Sequence, residues 1–488
     1  MNIKEFLNKN YISIKEFSKK NYIILCSIIV ISIIVFLLLF RKYGIKDSGS
    51  VALATSLLLL DLYYASFDMK KSMLLFILCF PIFVTARKVV YFDVLFLKVS
   101  YESIYITIMF ILNIKNIIKY VKVKLYNKQS HTAKFLLSII VFVVLATNSN
   151  IFSHHILKSL SSTYISIFVP VMFMLITLVV FKSEDIKNIF YALIVGIDFS
   201  CFYGFTQVVA NRMSLGDIMR NRNLITFGYH NVNIGAGIIL LIVPLVLELI
   251  LYRELNKKEK IFVYGSLFIN MIALFITFTR GAWLCFLIVT FIMLISKKYK
   301  KIMYFFGIAF LISSKWIITF ILQRGQAGVD ILKNESIMAR LQAIVASCII
   351  IITYPFGAGG ATFAELYKKF AMNAYLAFPE AFRISAPVAN YAMENAHNLW
   401  FQIAVEFGLI TSILFFIIII NRFKVIFQNY SENRGAFTVI IIYMIYSVLT
   451  GNEFDHKGVI TGTLIMWLIF AVVELNNKEE CVEERVTE

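Results

Sequence analysis

Residues Val232–Tyr252 read VNIGAGIILLIVPLVLELILY, with Glu248 their one charged side chain at neutral pH. An apolar run of this length matches the roughly 20 helical residues needed to cross a hydrocarbon core. Working outward, Tyr22–Phe40, Ile261–Thr277 and Leu399–Ile420 repeat the pattern. Across all 488 residues 60% are hydrophobic, only 16% are charged and mean hydropathy is +0.80, too little charge to cover a soluble chain of this size. Backbone polar groups find no water in lipid, so helices are the expected element. A transmembrane barrel would instead show many short alternating segments. The fold class expected is all-α, a polytopic integral membrane protein of about 12–14 spans with a long outer loop carrying short helices.

The net charge of +18 is orientational in origin. Basic residues concentrate in short connections between apolar runs, the pattern of cytoplasmic loops. Spans are expected near 21–40, 50–67, 72–86, 89–112, 135–150, 161–181, 187–209, 232–251, 260–278, 282–296, 301–322, 399–421, 436–450 and 458–474, with both termini cytoplasmic. Lys115, Lys119, Lys122, Lys124, Lys128 and Lys134 mark one inside connection, and Lys297, Lys298, Lys300 and Lys301 another. The organisation is a cytoplasmic amphipathic segment at 1–20, a membrane region at 21–322, an outer catalytic loop at 323–398, further spans at 399–474 and a cytoplasmic acidic tail at 475–488. Arg87, Lys88, Asp93, Lys98 and Glu102 interrupt the segment Met73–Asn113, where residues 88–97 fit an interfacial path. The run Leu341–Thr353 is short for a crossing and reads as membrane-skimming or re-entrant.

Tyr22–Phe40 reads as a retained anchor, because no small-residue cleavage pattern follows it. The six cysteines show neither metal spacing nor a disulfide framework. Phosphate-loop, dinucleotide-fold and zinc-protease patterns are absent from the sequence, which disfavours a nucleotide-using soluble module; no cofactor is expected, and the basic excess, lying in loops between apolar runs, does not point to a nucleic-acid partner.

Polar residues gather at the outer ends of spans. Asn221–Gly237 reads NRNLITFGYHNVNIGAG, placing Arg222, His230, Asn231 and Asn233 before an apolar helix. The asparagines suit helix capping or contact with a polar headgroup. Thr277–Trp283, TFTRGAW, puts Arg280 at an outer face that positive-inside bias disfavours, as for an anion-binding cation or a snorkelling one. In Ser336–Ile344, SIMARLQAI, Arg340 is expected to open a short helix and share a phosphate with its free backbone donors, or else to pair with Glu335. That helix ends at Tyr354–Gly360, YPFGAGG, whose glycines would let the chain turn beneath a bound group. A lid of short amphipathic helices is expected over 361–396. It closes at Glu394–Ile410, ENAHNLWFQIAVEFGLI, with His397 and Asn398 at the mouth of the next span. His397 suits proton removal from a hydroxyl, or capping and packing.

Taken in order, Asn231 and Asn233, Thr279–Gly281, Arg340 with PFGAGG, and HNLWFQIAVEFGLI resemble the O-antigen ligase and polymerase superfamily of bacterial surface-glycan enzymes. The similarity spans roughly residues 220 to 420, with Val232 where the family often has proline. It implies an inverting, metal-independent glycosyltransferase of the bacterial cytoplasmic membrane whose site faces outward. Its donor would be a glycan on undecaprenyl pyrophosphate and its acceptor a glycan or lipid, with surface-polysaccharide assembly proteins as further partners. By the same resemblance Arg280 and Arg340 grip the pyrophosphate and His397 activates or aligns the acceptor hydroxyl. Arg222, Asn231, Asn233 and Asn398 bind substrate around them.

The competing reading is a flippase for the same lipid-linked glycan. It would more naturally carry related halves and charges deep in several spans. The orientation is open to direct measurement. Cysteines replacing Arg280 or His397 should react with a membrane-impermeant maleimide on intact cells, and one replacing Lys298 only after permeabilisation. The reverse result would put the proposed chemistry on the wrong side of the membrane.

Overall fold

The structure is a computed structural model that describes residues 3–83, 92–94, 97–127, 130–229, 231–295, 297–301, 303–305, 308, 335–380, 383, 391–450 and 460–477. The expected span at 301–322 and the start of the outer loop lie mainly outside these residues, as does His230. Among the described residues, seven helices are long and apolar enough to cross a membrane, and six shorter apolar helical stretches accompany them. The protein is an all-α polytopic membrane protein, with one two-stranded hairpin as its only described sheet.

Helix α1, Ile3–Ala65, is helical throughout but not straight. The hydroxyls of Ser32 and Ser56 lie 2.5 Å apart, whereas a straight helix would separate them by about 36 Å at 1.5 Å per residue. The chain therefore doubles back, and Gly44 at φ +76° supplies a left-handed residue between the two arms. The arms contain the apolar stretches Cys26–Arg41 and Val51–Ala65, which match the spans expected at 21–40 and 50–67.

Helix α2, Met69–Phe83, precedes strands β1, Phe92–Val94, and β2, Leu97–Val99, which pair antiparallel. The crossing expected at 89–112 instead begins with α3, Tyr101–Tyr126. Ser100 and Ser103 exchange side-chain-to-backbone hydrogen bonds across its first turn and fix that start. Four of the expected loop lysines, Lys115, Lys119, Lys122 and Lys124, consequently ride on a helix that outlasts its apolar stretch.

The chain continues through α4 (His131–Asn148), α5 (Ile156–Thr163), a wide helical turn at Tyr164–Phe168, α6 (Val169–Val180), α7 (Ile186–Ala210) and the short α8 (Leu215–Arg220). Then come α9 (Val232–Tyr252), α10 (Lys257–Ile276) and α11 (Arg280–Leu294). The segment after α11 supplies α12 (Glu335–Thr353) and α13 (Phe363–Leu376). The last part holds α14 (Leu399–Phe407), α15 (Leu409–Gln428), α16 (Arg434–Thr450) and α17 (Thr461–Leu475). The span expected at 399–421 is thus broken at Gly408, whose φ of +97° ends α14 and redirects α15.

Helix α9 occupies the centre, packed by α7, α10, α11, α16 and α17 and buried on nearly all sides. Its neighbour α10 keeps Ile261, Phe268 and Phe275 exposed, one every seven residues, a stripe that suits lipid. Because α9, α10, α11 and α16 run alternately up and down, they sort their polar ends. One end gathers Arg253, Lys257, Lys258, Lys298 and Arg434, with the Glu248 carboxylate accepting from Arg253 at 2.9 Å and from the Gly435 N–H at 2.7 Å. The other end gathers Asn231, Thr279, Arg280 and Tyr446, about 22 Å away along the length of α11.

A second charged contact ties the lysine-rich side together. Arg422 of α15 and Glu474 of α17 form a fully buried ion pair, Thr132 of α4 donates to the same carboxylate, and the Phe135 ring lies 3.5 Å beneath the guanidinium. Removing one partner strands the other charge, a loss of about 3–5 kcal/mol. Glu474→Leu should therefore lower the unfolding midpoint in detergent sharply, and adding Arg422→Met should recover most of the loss.

Candidate active site

The start of α9 is built by three short devices. Asn231 caps it, its Oδ1 accepting from the Ile234 N–H at 2.9 Å. The preceding loop is pinned by Gln207 of α7, whose Oε1 accepts from the N–H groups of Thr226 and Phe227 at 3.0 and 3.1 Å. This places Arg222, in the short turn after α8, beside the helix mouth. One of its nitrogens donates to Asn233 Oδ1 at 3.3 Å, to the Phe278 carbonyl at 3.4 Å and to Thr279 Oγ1 at 3.4 Å.

Those contacts carry the site from α9 to α11. Between α10 and α11 the chain turns through Phe278, at φ +46°, to Thr279, which also donates to Asn233 Oδ1 at 3.4 Å. Arg280 follows as the first residue of α11 and is half-buried. Trp283 turns back, donating from its indole to the Leu274 carbonyl at 3.2 Å and stacking on Phe275. Asn233 and Thr279 are thereby held together, and Arg222 bonds to both.

From the far side, α16 adds a residue that sequence reasoning missed. Tyr446 donates its hydroxyl proton to the Asn233 carbonyl at 2.6 Å. Its ring lies where a side chain at position 237 would stand, since a Cβ on Gly237 would come within 2.4 Å of it. One tyrosine inside an apolar helix gives no signal of this, although the glycine in NIGAG is its footprint.

Arg340 reaches the same region from α12. It interacts electrostatically with Tyr446 and with Arg280, a like charge. The described part of α12 begins at Glu335, so Arg340 sits in the second turn instead of opening the helix. The expectation that Arg340 shares an anion with the free donors of its own helix start is thereby corrected; Arg280, first in α11, is the arginine so placed. Helix α12 packs on α13 through Ala343, Ala346, Ile350, Phe363, Tyr367 and Ala371, and Gln342 donates to the Ala371 carbonyl at 2.9 Å. Of the two helices, α13 falls within 361–396, the segment expected to form a lid.

His397 stands in a tight loop at φ +48°, its N–H donating to Asn395 Oδ1 at 3.0 Å. A non-glycine residue held there costs free energy and marks a place where the surroundings over-determine the backbone. The surroundings are amides and a carboxylate. Gln402 accepts from the Ala396 N–H at 2.7 Å and donates to Glu406 at 2.8 Å, while Asn398 caps α14 by accepting from the Trp400 N–H at 3.0 Å. Helix α14 in turn packs against α12, which carries Arg340, and against α16, which carries Tyr446. The structure thus joins Arg222, Asn233, Thr279, Arg280, Arg340 and Tyr446 in one electrostatic neighbourhood and seats His397 on an adjoining element. Asn231 and Asn398 spend their carboxamide oxygens on caps, leaving the NH2 groups to donate.

Residues 265–416 match a known family described as O-antigen ligase. The matched stretch runs from within α10 into α15 and contains Arg280, Arg340, His397 and Asn398, whereas Arg222, Asn231, Asn233 and Tyr446 lie outside it. No curated protein matches the chain. Among the described residues no group of three or more His, Cys, Asp or Glu side chains is arranged to hold a metal.

The glycines at 357–360 lie against backbone from other segments. PFGAGG is a clasp against the α14–α15 break. Ala358 and Gly359 donate to the Val405 and Glu406 carbonyls at 3.0 and 2.8 Å, and Leu409 donates to the Pro355 carbonyl at 3.1 Å. Gly360 donates to Asn150 Oδ1 at 3.2 Å, tying the clasp to the end of α4. Gly357, at φ +88°, would carry a Cβ only 2.6 Å from the backbone of Glu406 and Gly408. Gly357→Ala should therefore destabilise the protein by about 1–3 kcal/mol. Gly49→Ala, where nothing lies within 4 Å, should leave the unfolding midpoint in detergent unchanged.

Proposed function

We propose that this protein transfers a glycan from undecaprenyl pyrophosphate to an acceptor hydroxyl during surface-polysaccharide assembly, at the outer face of the bacterial cytoplasmic membrane. The observation that supports the reading is the match of residues 265–416 to the O-antigen ligase family, a stretch that holds Arg280, at the end of α11 opposite the lysine-rich connections, and Arg340, which interacts with it electrostatically. Two cations held near each other in a half-buried place repel, and a dianionic group between them turns that repulsion into binding. A pyrophosphate suits two guanidinium forks, each presenting several fixed donors to phosphate oxygens. The polyprenyl chain of such a donor stays in lipid while its glycan stays in water, as a site at the helix ends requires.

The chemistry follows from the donor. A sugar on pyrophosphate already has a good leaving group, so the protein must orient the acceptor, remove its proton and neutralise the departing charge. The acceptor oxygen attacks the anomeric carbon from the face opposite the phosphate, forming the new glycosidic bond as the carbon–oxygen bond to phosphate breaks. His397 takes the hydroxyl proton or aligns the hydroxyl. Arg280 and Arg340 receive the negative charge that returns to undecaprenyl pyrophosphate. Arg222 and Asn233 hold the α11 end in place, and the NH2 groups of Asn231 and Asn398 bind around the donor. Helices α12 and α13 shelter the reaction from water, itself an acceptor. Polymerase and ligase reactions share these steps and differ in the acceptor.

The test is purified protein with a defined undecaprenyl-pyrophosphate glycan and candidate acceptors in EDTA. A new glycosidic product supports transfer, and its length separates polymerisation from ligation. Movement of the lipid-linked glycan across vesicles with no new bond would support the flippase instead. Arg280→Ala and Arg340→Ala should each cost on the order of 100-fold in turnover, the scale of losing one charge-stabilising group. His397→Ala should slow transfer while retaining more donor binding than either arginine variant. Wild-type turnover in all three would reject these assignments.

A further inference from the structure

Two polar side chains, Gln402 and Glu406, lie one helical turn apart in α14, each only 1% exposed. An apolar side chain would pack such a place as well, and a buried amide is costly unless both of its ends are bonded. Both ends of Gln402 are. Its Oε1 accepts from the Ala396 N–H at 2.7 Å, and its Nε2 donates to Glu406 Oε1 at 2.8 Å. A backbone N–H only donates, so it fixes which end of the amide is oxygen, and the NH2 group then meets the carboxylate.

Glu406 is itself held. Its carbonyl accepts from the Gly359 N–H at 2.8 Å, and its Oε1 also accepts from the Phe363 N–H, 3.4 Å away at the start of α13. The glycine clasp, the head of α13 and Gln402 therefore meet at one residue. Gln402 carries that anchor across to the loop before α14.

The loop delivers His397. Its own N–H donates to Asn395 Oδ1 at 3.0 Å, and Asn398 caps the helix that follows. Asn395 and Asn398 are local turn and cap residues, whereas Gln402 reaches back from within the helix. At φ +48°, His397 has a backbone conformation that an L side chain keeps only when its surroundings hold it. That conformation sets the direction in which the imidazole leaves the chain.

Resting on the glycan transfer proposed above, we propose that Gln402 is a positioning residue for His397: bonded to the buried Glu406, it holds the Ala396 N–H and with it the left-handed backbone from which the imidazole projects. Buried in α14, Gln402 touches neither donor nor acceptor.

Gln402→Leu keeps the bulk and removes both bonds. Gln402→Glu sets a second carboxylate against Glu406, and adding Glu406→Gln restores the pair with its ends exchanged, an oxygen still facing Ala396 and an NH2 still joining the two side chains. The measurements are turnover, the Kd for undecaprenyl pyrophosphate and the unfolding midpoint in detergent, and hydrogen–deuterium exchange over residues 394–400. Expected is a roughly 10-fold fall in turnover for Gln402→Leu and for Gln402→Glu, the scale of one buried hydrogen bond, with an unchanged Kd and faster exchange over 394–400. The exchanged pair should regain most of the turnover, and Gln402→Leu added to His397→Ala should cost nothing more. A further fall in that background assigns Gln402 to the general fold of α14 and overturns the proposal, as does either wild-type turnover or wild-type exchange in Gln402→Leu. If Gln402→Leu does not fold, the exchanged pair decides: turnover recovered relative to Gln402→Glu supports the proposal, and turnover left low overturns it. Absence of transfer by wild type would reject the glycosyltransferase reading alone, while exchange over 394–400 still decides whether Gln402 holds the His397 loop.

Discussion

Two guanidinium groups held near each other at the edge of a membrane are an unfavourable arrangement, and the surrounding construction serves to maintain it. Charge in a half-dry place is costly to leave uncompensated. Arg280 sits at the start of α11 because Thr279 and Asn233 fix the turn before it, and Arg340 is carried by a helix with its own small core against α13. Neither arginine depends on the other for its place. The repulsion is stored in the framework, where an anion of suitable span can release it.

That framework is referenced to α9. The helix is the most apolar and among the most enclosed in the molecule, and its two ends carry opposite characters. At one end Glu248 gathers Arg253 and the N-terminal backbone of α16; at the other, Asn233 gathers Arg222, Thr279 and Tyr446. Helix α16 is fastened to α9 at both ends, by Gly435 near one and Tyr446 near the other. A rigid central pair of this kind is a suitable mount for groups that must meet within a few tenths of an ångström.

The all-α polytopic class was plain in the sequence because hydrophobic length is a local property, and Val232–Tyr252 announces itself without context. Even the doubled-back α1 was visible as two separate apolar stretches. The candidate site residues stood out where a residue departs from a local rule. Arg280 falls at the helix ends opposite the lysine-rich connections, where positive-inside bias disfavours a cation, and His397 stands between a polar loop and an apolar run. The structure adds that His397 also adopts a left-handed backbone. What depends on contact between distant segments did not show. Tyr446 is one of 25 tyrosines, in a helix whose sequence is otherwise apolar. Gly408 lies inside a continuous hydrophobic run that hides the break. PFGAGG looked like a ligand cradle because a glycine-rich turn reads alike whether it yields to a phosphate or to another backbone.

The boundary of the family-matched stretch cuts through the site itself. Residues 265–416 include the two arginines and the histidine, but not Asn233 or Asn150, which fix the α11 turn and the glycine clasp from earlier in the chain. Residues outside the matched stretch can therefore alter how the proposed reactive groups are held. A chimera grafting only the matched segment onto a foreign amino-terminal half would inherit those side chains while losing Asn233 and Asn150, which fix the segments carrying them.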